Sequence, residues 1–205
     1  MKFSLRRPIL LTLLPLVGSA VALALYLRSN GFSARPQPSR TEAFVARRVR
    51  SFAIPADARS ATNPVKLKPE ILSEAREHFA DHCATCHAND GNGNTSIGKG
   101  LYPRPPDMRQ AATQNLSDGE IYWMIHNGVR FTGMPAFGED KPGIPDEYSW
   151  KLVHFIRHLP KITEEEVQAM KKLNPKSPAE LEEEEQFRKF LAGEDTPAES
   201  PTHHH

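Results

Sequence analysis

The sequence predicts an all-α chain: a small helical domain, preceded by a single transmembrane helix and followed by extra charged helices. Three observations point there. An uncharged apolar run fills Pro8 to Leu27. Ile71, Ala75, Phe79 and Cys83 recur every four residues, the spacing of one helical face. Three Ser/Thr-x-x-Glu signatures, at Ser117, Thr163 and Ser177, mark helix starts.

The first of these sets the chain's address. Lys2, Arg6 and Arg7 precede the apolar run. About 20 residues rising ~1.5 Å each cross a hydrocarbon core of ~30 Å. Pro15 is tolerated in a membrane helix, and Tyr26 suits the outer interface. Ala22-Leu23-Ala24 also fits a signal-cleavage pattern. The run is longer than the roughly 7–15 apolar residues of a secretory signal, which favours an uncleaved anchor over residues 1–28. Both readings place the rest of the chain outside the cytoplasm.

Residues 29–65 read as a basic tether. Positive charges dominate from Arg28 to Lys68, with only Glu42 and Asp57 opposing them. The half from Glu42 to Asn63 is expected to be partly ordered, and Pro55 and Pro64 rule out one continuous helix. As a flexible coil it would reach roughly 35 Å. The net charge of the whole chain is +1, which gives no argument for nucleic acid.

Residues 66–160 carry the folded domain. Pro69 opens its first helix. Ala88 to Arg109 is loop, rich in Gly and Pro. Ser117 with Glu120 starts a second helix carrying Ile121, Met124 and Ile125, ending near Gly128. Phe131 to Pro145 is loop again. Pro145 to Leu159 is the last helix, closed by Pro160. Residues 161–205 form an acidic tail with helices expected at about 163–173 and 178–192, Gly193 ending the second. The sequence beyond it to Thr202 is polar, and His203–His205 is set aside from function.

The chemistry lies at Cys83-Ala84-Thr85-Cys86-His87. These are the chain's two cysteines, so neither a disulfide framework nor an all-cysteine zinc site is available. Cys-x-x-Cys-His is the attachment signature of c-type haem. Two thiols at that spacing add across the two vinyl groups of one porphyrin. The histidine that follows supplies the proximal nitrogen to iron. A thioredoxin-type motif would need a βαβ pattern, which is missing here.

The sixth ligand is expected from Met134, in Thr132-Gly133-Met134-Pro135-Ala136-Phe137-Gly138, where glycines and a proline fix an irregular loop. Met124 reads as core, Met108 as packing on the haem edge, and Met170 as part of the acidic tail. His126 reads as a helix C-terminal partner, and His78, His82, His154 and His158 as structural.

Cys83–His87, the proline-rich stretch Pro103 to Pro106 and Met134-Pro135-x-Phe137, in that order and spacing, resemble the class I, monohaem cytochromes c of bacteria. The resemblance covers about residues 66–160. It implies the cytochrome c fold around one covalent haem c, His87 and Met134 as axial ligands, and a hydrogen bond from His87 to the backbone carbonyl of Pro103 or its neighbour. It also implies crossing of the first and last helices near Phe79 and Trp150.

The expected function is one-electron transfer in a respiratory chain at the outer face of the cytoplasmic membrane, not enzymatic catalysis. The implied partners are redox proteins: a quinol-oxidising complex, a terminal oxidase or other cytochromes. A second reading makes the chain a fixed subunit of a membrane redox complex, clasped through Leu181, Phe187, Phe190 and Leu191. A third, a haem enzyme or gas sensor with a labile sixth ligand, ranks below both.

Overall fold

The computed structural model describes residues 6–31, 33–138, 146–176 and 178–192, with side chains described from residue 13 onward except at 178. The expected cap at Ser177, the helix end at Gly193, the loop's end at Pro145 and the terminal histidines lie outside the described residues. All regular structure among the described residues is helical.

Helix α1 (Arg6–Asn30) runs through Pro15 without a break. From Leu13 to Asn30 its mean hydropathy is 1.3, and none of that stretch is buried by the rest of the protein. Two helices follow in the basic segment: α2 (Arg40–Ala53), capped by Ser39, and the short α3 (Ala56–Ser60). The segment is docked rather than loose. Ile54 is fully buried. α3 lies so close against the later helix α8 (Asp118–Asn127) that a Cβ at Gly119 would overlap the carbonyl oxygen of Ala58. Ser117 Oγ donates to Arg59 O at 2.7 Å. Farther on, Asn63 Nδ2 donates to Trp150 O at 2.9 Å, and His154 Nε2 meets Val65 O at 2.7 Å.

The domain is built on α4 (Pro69–His78), which packs along α9 (Glu147–His158). Pro69 occupies the first turn, where a missing N–H costs nothing. α4 then widens into a π turn, Phe79–Cys83, before α5 (Ala84–His87). Such bulges shift the buried face and recur at functional sites. Ala75, Phe79, Ala80 and Ala84 are all buried, while Ile71 is only half-buried.

At the helix crossing, Phe79 meets Phe155 with ring centroids 4.9 Å apart and planes at 52°. Burying such a side chain contributes about 1.5–3 kcal/mol. Trp150 faces a different neighbour. It stacks on Tyr122 of α8 at 4.1 Å and 10°, joining α8 to α9. α8 begins with the expected capping box: Ser117 Oγ accepts from Glu120 N at 3.1 Å, and Glu120 Oε2 from Ser117 N at 2.8 Å. Arg157 reaches from α9 to Asp118, Gln114 O and Leu116 O, fixing the turn between α7 (Ala111–Gln114) and α8.

After a 3-10 turn at Leu159–Lys161, the capping box of Thr163 and Glu166 starts α10 (Glu164–Lys171). Met170 of this acidic helix is 0 % exposed and belongs to the same core as Phe79 and Phe155. Glu166 pairs with His158 at 3.0 Å and Arg76 at 3.7 Å. Asn89 Nδ2 donates to Asn174 Oδ1 at 3.0 Å. The start of the tail is thereby part of the folded unit. The last described helix, α11 (Pro178–Leu191), keeps Leu181, Phe187, Phe190 and Leu191 exposed.

Candidate functional site

The π turn and α5 carry the cysteine–histidine signature on one continuous helical segment. Cys83 packs against the core, and Cys86 is half-buried. Directly after His87 the chain turns sharply: Ala88 takes φ 62°, a left-handed conformation that costs a residue with a side chain about 1–3 kcal/mol. The segment that follows folds back, with Gly93 N donating to His87 O at 2.8 Å. Thr95 caps α6 (Ser96–Gly100), and its hydroxyl also reaches Cys86 O at 3.3 Å.

The proline-rich stretch closes over this loop. Gly93 has φ 72°, and a Cβ there would sit 2.5 Å from the carbonyl oxygen of Pro105. Met108 N donates to Gly91 O at 2.8 Å. Arg109 forks onto Asp107 at 2.8 and 2.9 Å and onto Asp90 at 3.0 Å. That fork holds the Asp107 carboxyl down at about 2. Met108 is buried in the core, and Gln114 Nε2 ties Met108 O to Ile156 O of α9 at 2.7 and 2.9 Å.

His87 stands apart from the other described histidines. Its Nδ1 is buried with no hydrogen-bond partner. Burial alone pushes its pKa down to about 4, leaving a neutral imidazole with a lone pair to give. The rest are occupied elsewhere. His126 Nδ1 donates to Asp146 Oδ2 at 2.8 Å, His154 meets Val65 O, His158 meets Glu166, and His78 stacks on His82 at 4.6 Å.

The resemblance implies a bond from His87 Nδ1 to the backbone carbonyl of Pro103 or its neighbour, and here that nitrogen has no partner. Pro103 is exposed, after a cis peptide from Tyr102, and Pro105 is the proline that abuts the loop following His87.

Met134 sits on a loop pinned back onto α8. Phe137 N donates to Ile125 O at 3.1 Å, Gly138 N to His126 O at 3.0 Å, and Val129 N to Met134 O at 3.1 Å. Thr132 Oγ1 accepts from Met134 N at 3.1 Å. Gly128, with φ 68°, starts the loop, and a Cβ there would be 2.7 Å from Ala136 N. The Met134 side chain, like Cys83, packs on the common core. Of its rivals, Met108 and Met170 are buried, which moves Met170 from the tail into the core. Met124 is half-buried, while Ile121 and Ile125 of the same helix fill the core it was expected to join.

The donor set fits a covalent haem better than the alternatives. Burial, with Cys86 adding to it, pushes the Cys83 thiol up to about 12. A redox or zinc-binding Cys-x-x-Cys depends on thiolate, which such surroundings suppress. Among the described residues, no group of three or more His, Cys, Asp or Glu could hold a metal ion by themselves. A buried, neutral histidine next to two thiols on one helical segment suits a porphyrin iron held by thioethers.

Residues 71–156 match the family described as cytochrome c oxidase, cbb3-type, subunit III. A comparison with curated proteins gives no match.

Proposed function

Residues 71–156 form a monohaem class I cytochrome c domain carrying covalent haem c, and from that premise we propose that this chain is a one-electron carrier of a membrane respiratory chain. It is held at the outer face of the cytoplasmic membrane by α1, with Cys83 and Cys86 as the thioether attachments and His87 and Met134 as axial ligands. When bound, the haem supplies a one-electron iron couple.

The chain's own residues set the conditions for that couple. His87 offers a nitrogen that stays neutral across the physiological range. The Met134 loop is fixed by its hydrogen bonds to α8, so its thioether can be presented without a search. A thioether ligand favours reduced iron and raises the potential relative to a second histidine. The clamp of Arg109 on Asp107 and Asp90 holds the proline stretch over the attachment loop.

The observation that carries this reading is the buried, neutral His87 directly following the two thiols. The test of the ligand assignment is Met134→Ala, followed by potentiometric titration of the purified haem protein. The expected result is a fall in reduction potential and a new site for exogenous ligands. An unchanged potential would reject Met134 as the sixth ligand.

A second reading, a fixed subunit of a larger redox complex, is favoured by the family's description and by the exposed apolar residues of α11. Purification from membranes in mild detergent separates the two. A stoichiometric partner supports the subunit, and a lone chain supports the carrier.

A further inference from the structure

Helix α2 carries two faces that do different things. One is turned inward: Ile54, just past its end, is fully buried, and Arg50 and Ser51 are half-buried. The other is apolar and open. Phe44 and Val45 are each 51 % exposed, Val49 60 % and Phe52 89 %. On a helix turning 100° per residue these four fall within an arc of about 140°. Arg48 lies within that arc, its guanidinium 5.1 Å from the centre of the Phe44 ring. Arg40 and Arg47 add further exposed positive charge, against Glu42 as the helix's one acid.

Position in the chain says what this face meets. Nine residues separate Asn30, the end of α1, from Arg40. Fully extended they span at most about 30 Å, so α2 is confined near the surface from which α1 emerges. A helix with aromatic and aliphatic residues on one side and arginine around them matches a layer of acyl chains beneath anionic headgroups.

We propose that α2 is a membrane-surface helix, seated in the headgroup layer of an anionic bilayer through Phe44, Val45, Val49 and Phe52. The proposal rests on the reading of α1 as a membrane anchor. Its consequence is orientation. α2 is bound to the haem domain, with Tyr102 donating to the Glu42 carboxylate, Arg104 reaching Arg35 O at 3.4 Å, and α3 locked against α8. A lipid-seated α2 therefore fixes which side of the haem domain faces outward. A coil of the same length would leave it free to tumble.

The test uses the full haem-loaded chain in vesicles containing phosphatidylglycerol. Nitroxide labels are placed singly at Phe52→Cys in α2, Val21→Cys in α1 and Lys172→Cys as an aqueous reference. Collision with oxygen and with a water-soluble nickel chelate is measured at each. The proposal expects nickel access at Phe52 and Val21 to be severalfold below that at Lys172, with oxygen access kept. Nickel access at Phe52 equal to that at Lys172, with Val21 shielded, overturns the surface helix and leaves the anchor. Access at Val21 as well brings down the anchor and the proposal with it. Shielding of Phe52 from both oxygen and nickel means that protein covers this face, and also overturns the proposal. Phe52 is 89 % exposed, so its substitution leaves the fold a fair test.

Discussion

Replacing Met170 by alanine asks whether the acidic helix α10 belongs to the haem domain. Met170 is 0 % exposed and sits in the cluster that holds Phe79, Phe155 and Leu159. Truncating a methionine at such a site removes its transfer energy and leaves a cavity, a loss of about 2–5 kcal/mol. At about 4 °C per kcal/mol for a domain of this size, the midpoint of thermal unfolding should fall by about 8–20 °C. Lys171→Ala, one position away and exposed, is the control and should stay within about 0.5 kcal/mol. Thermal melts of the full haem protein in detergent, followed by haem absorbance, read both. Because the haem is covalent, it reports on the packing around it without leaving the chain. If Met170→Ala melts with Lys171→Ala, α10 is not docked and the tail is an appendage after all.

Two further outcomes follow from local geometry. Gly119→Ala should push α3 off α8, because its methyl would overlap Ala58 O. Overpacking of this kind costs about 1–3 kcal/mol, and hydrogen exchange should show Ala56–Ser60 losing protection. Unchanged exchange there would contradict the close approach. Asp107 ionises at about 2 in the folded chain against 3.8 ordinarily, through its hydrogen bonds from Arg109. The folded state therefore holds fewer protons than the unfolded one over that range. Its contribution to stability is complete above about pH 4–5 and is lost as pH falls towards 2. Asp107→Asn should flatten acid unfolding over that window, and an identical acid profile would remove the clamp from the account.

What the sequence made legible was local. The Ser117 and Thr163 boxes and Pro69 at a helix start are each written within five residues, and the structure carries each where it was expected. The bulge at Phe79–Cys83 was not legible, because no residue type marks a widened turn. Contacts across distance were also hidden. Arg109 meets Asp90 over 19 positions, and Asn89 meets Asn174 over 85. Met170 looked like tail because its neighbours are acidic, yet one apolar residue on the right side of a charged helix is enough to seat it. The tether's second half was expected to be partly ordered, but not which residues would seat it. Its arginines describe its solvent side, while Ile54 and Ala58 do the docking.

A closed, six-coordinate iron should pass electrons and bind nothing else. The test is the visible spectrum of the reduced, purified protein before and after adding carbon monoxide. The expected result is an unchanged low-spin spectrum. A rapid spectral shift would mean an open or labile sixth position, and would contradict a Met134-ligated electron carrier.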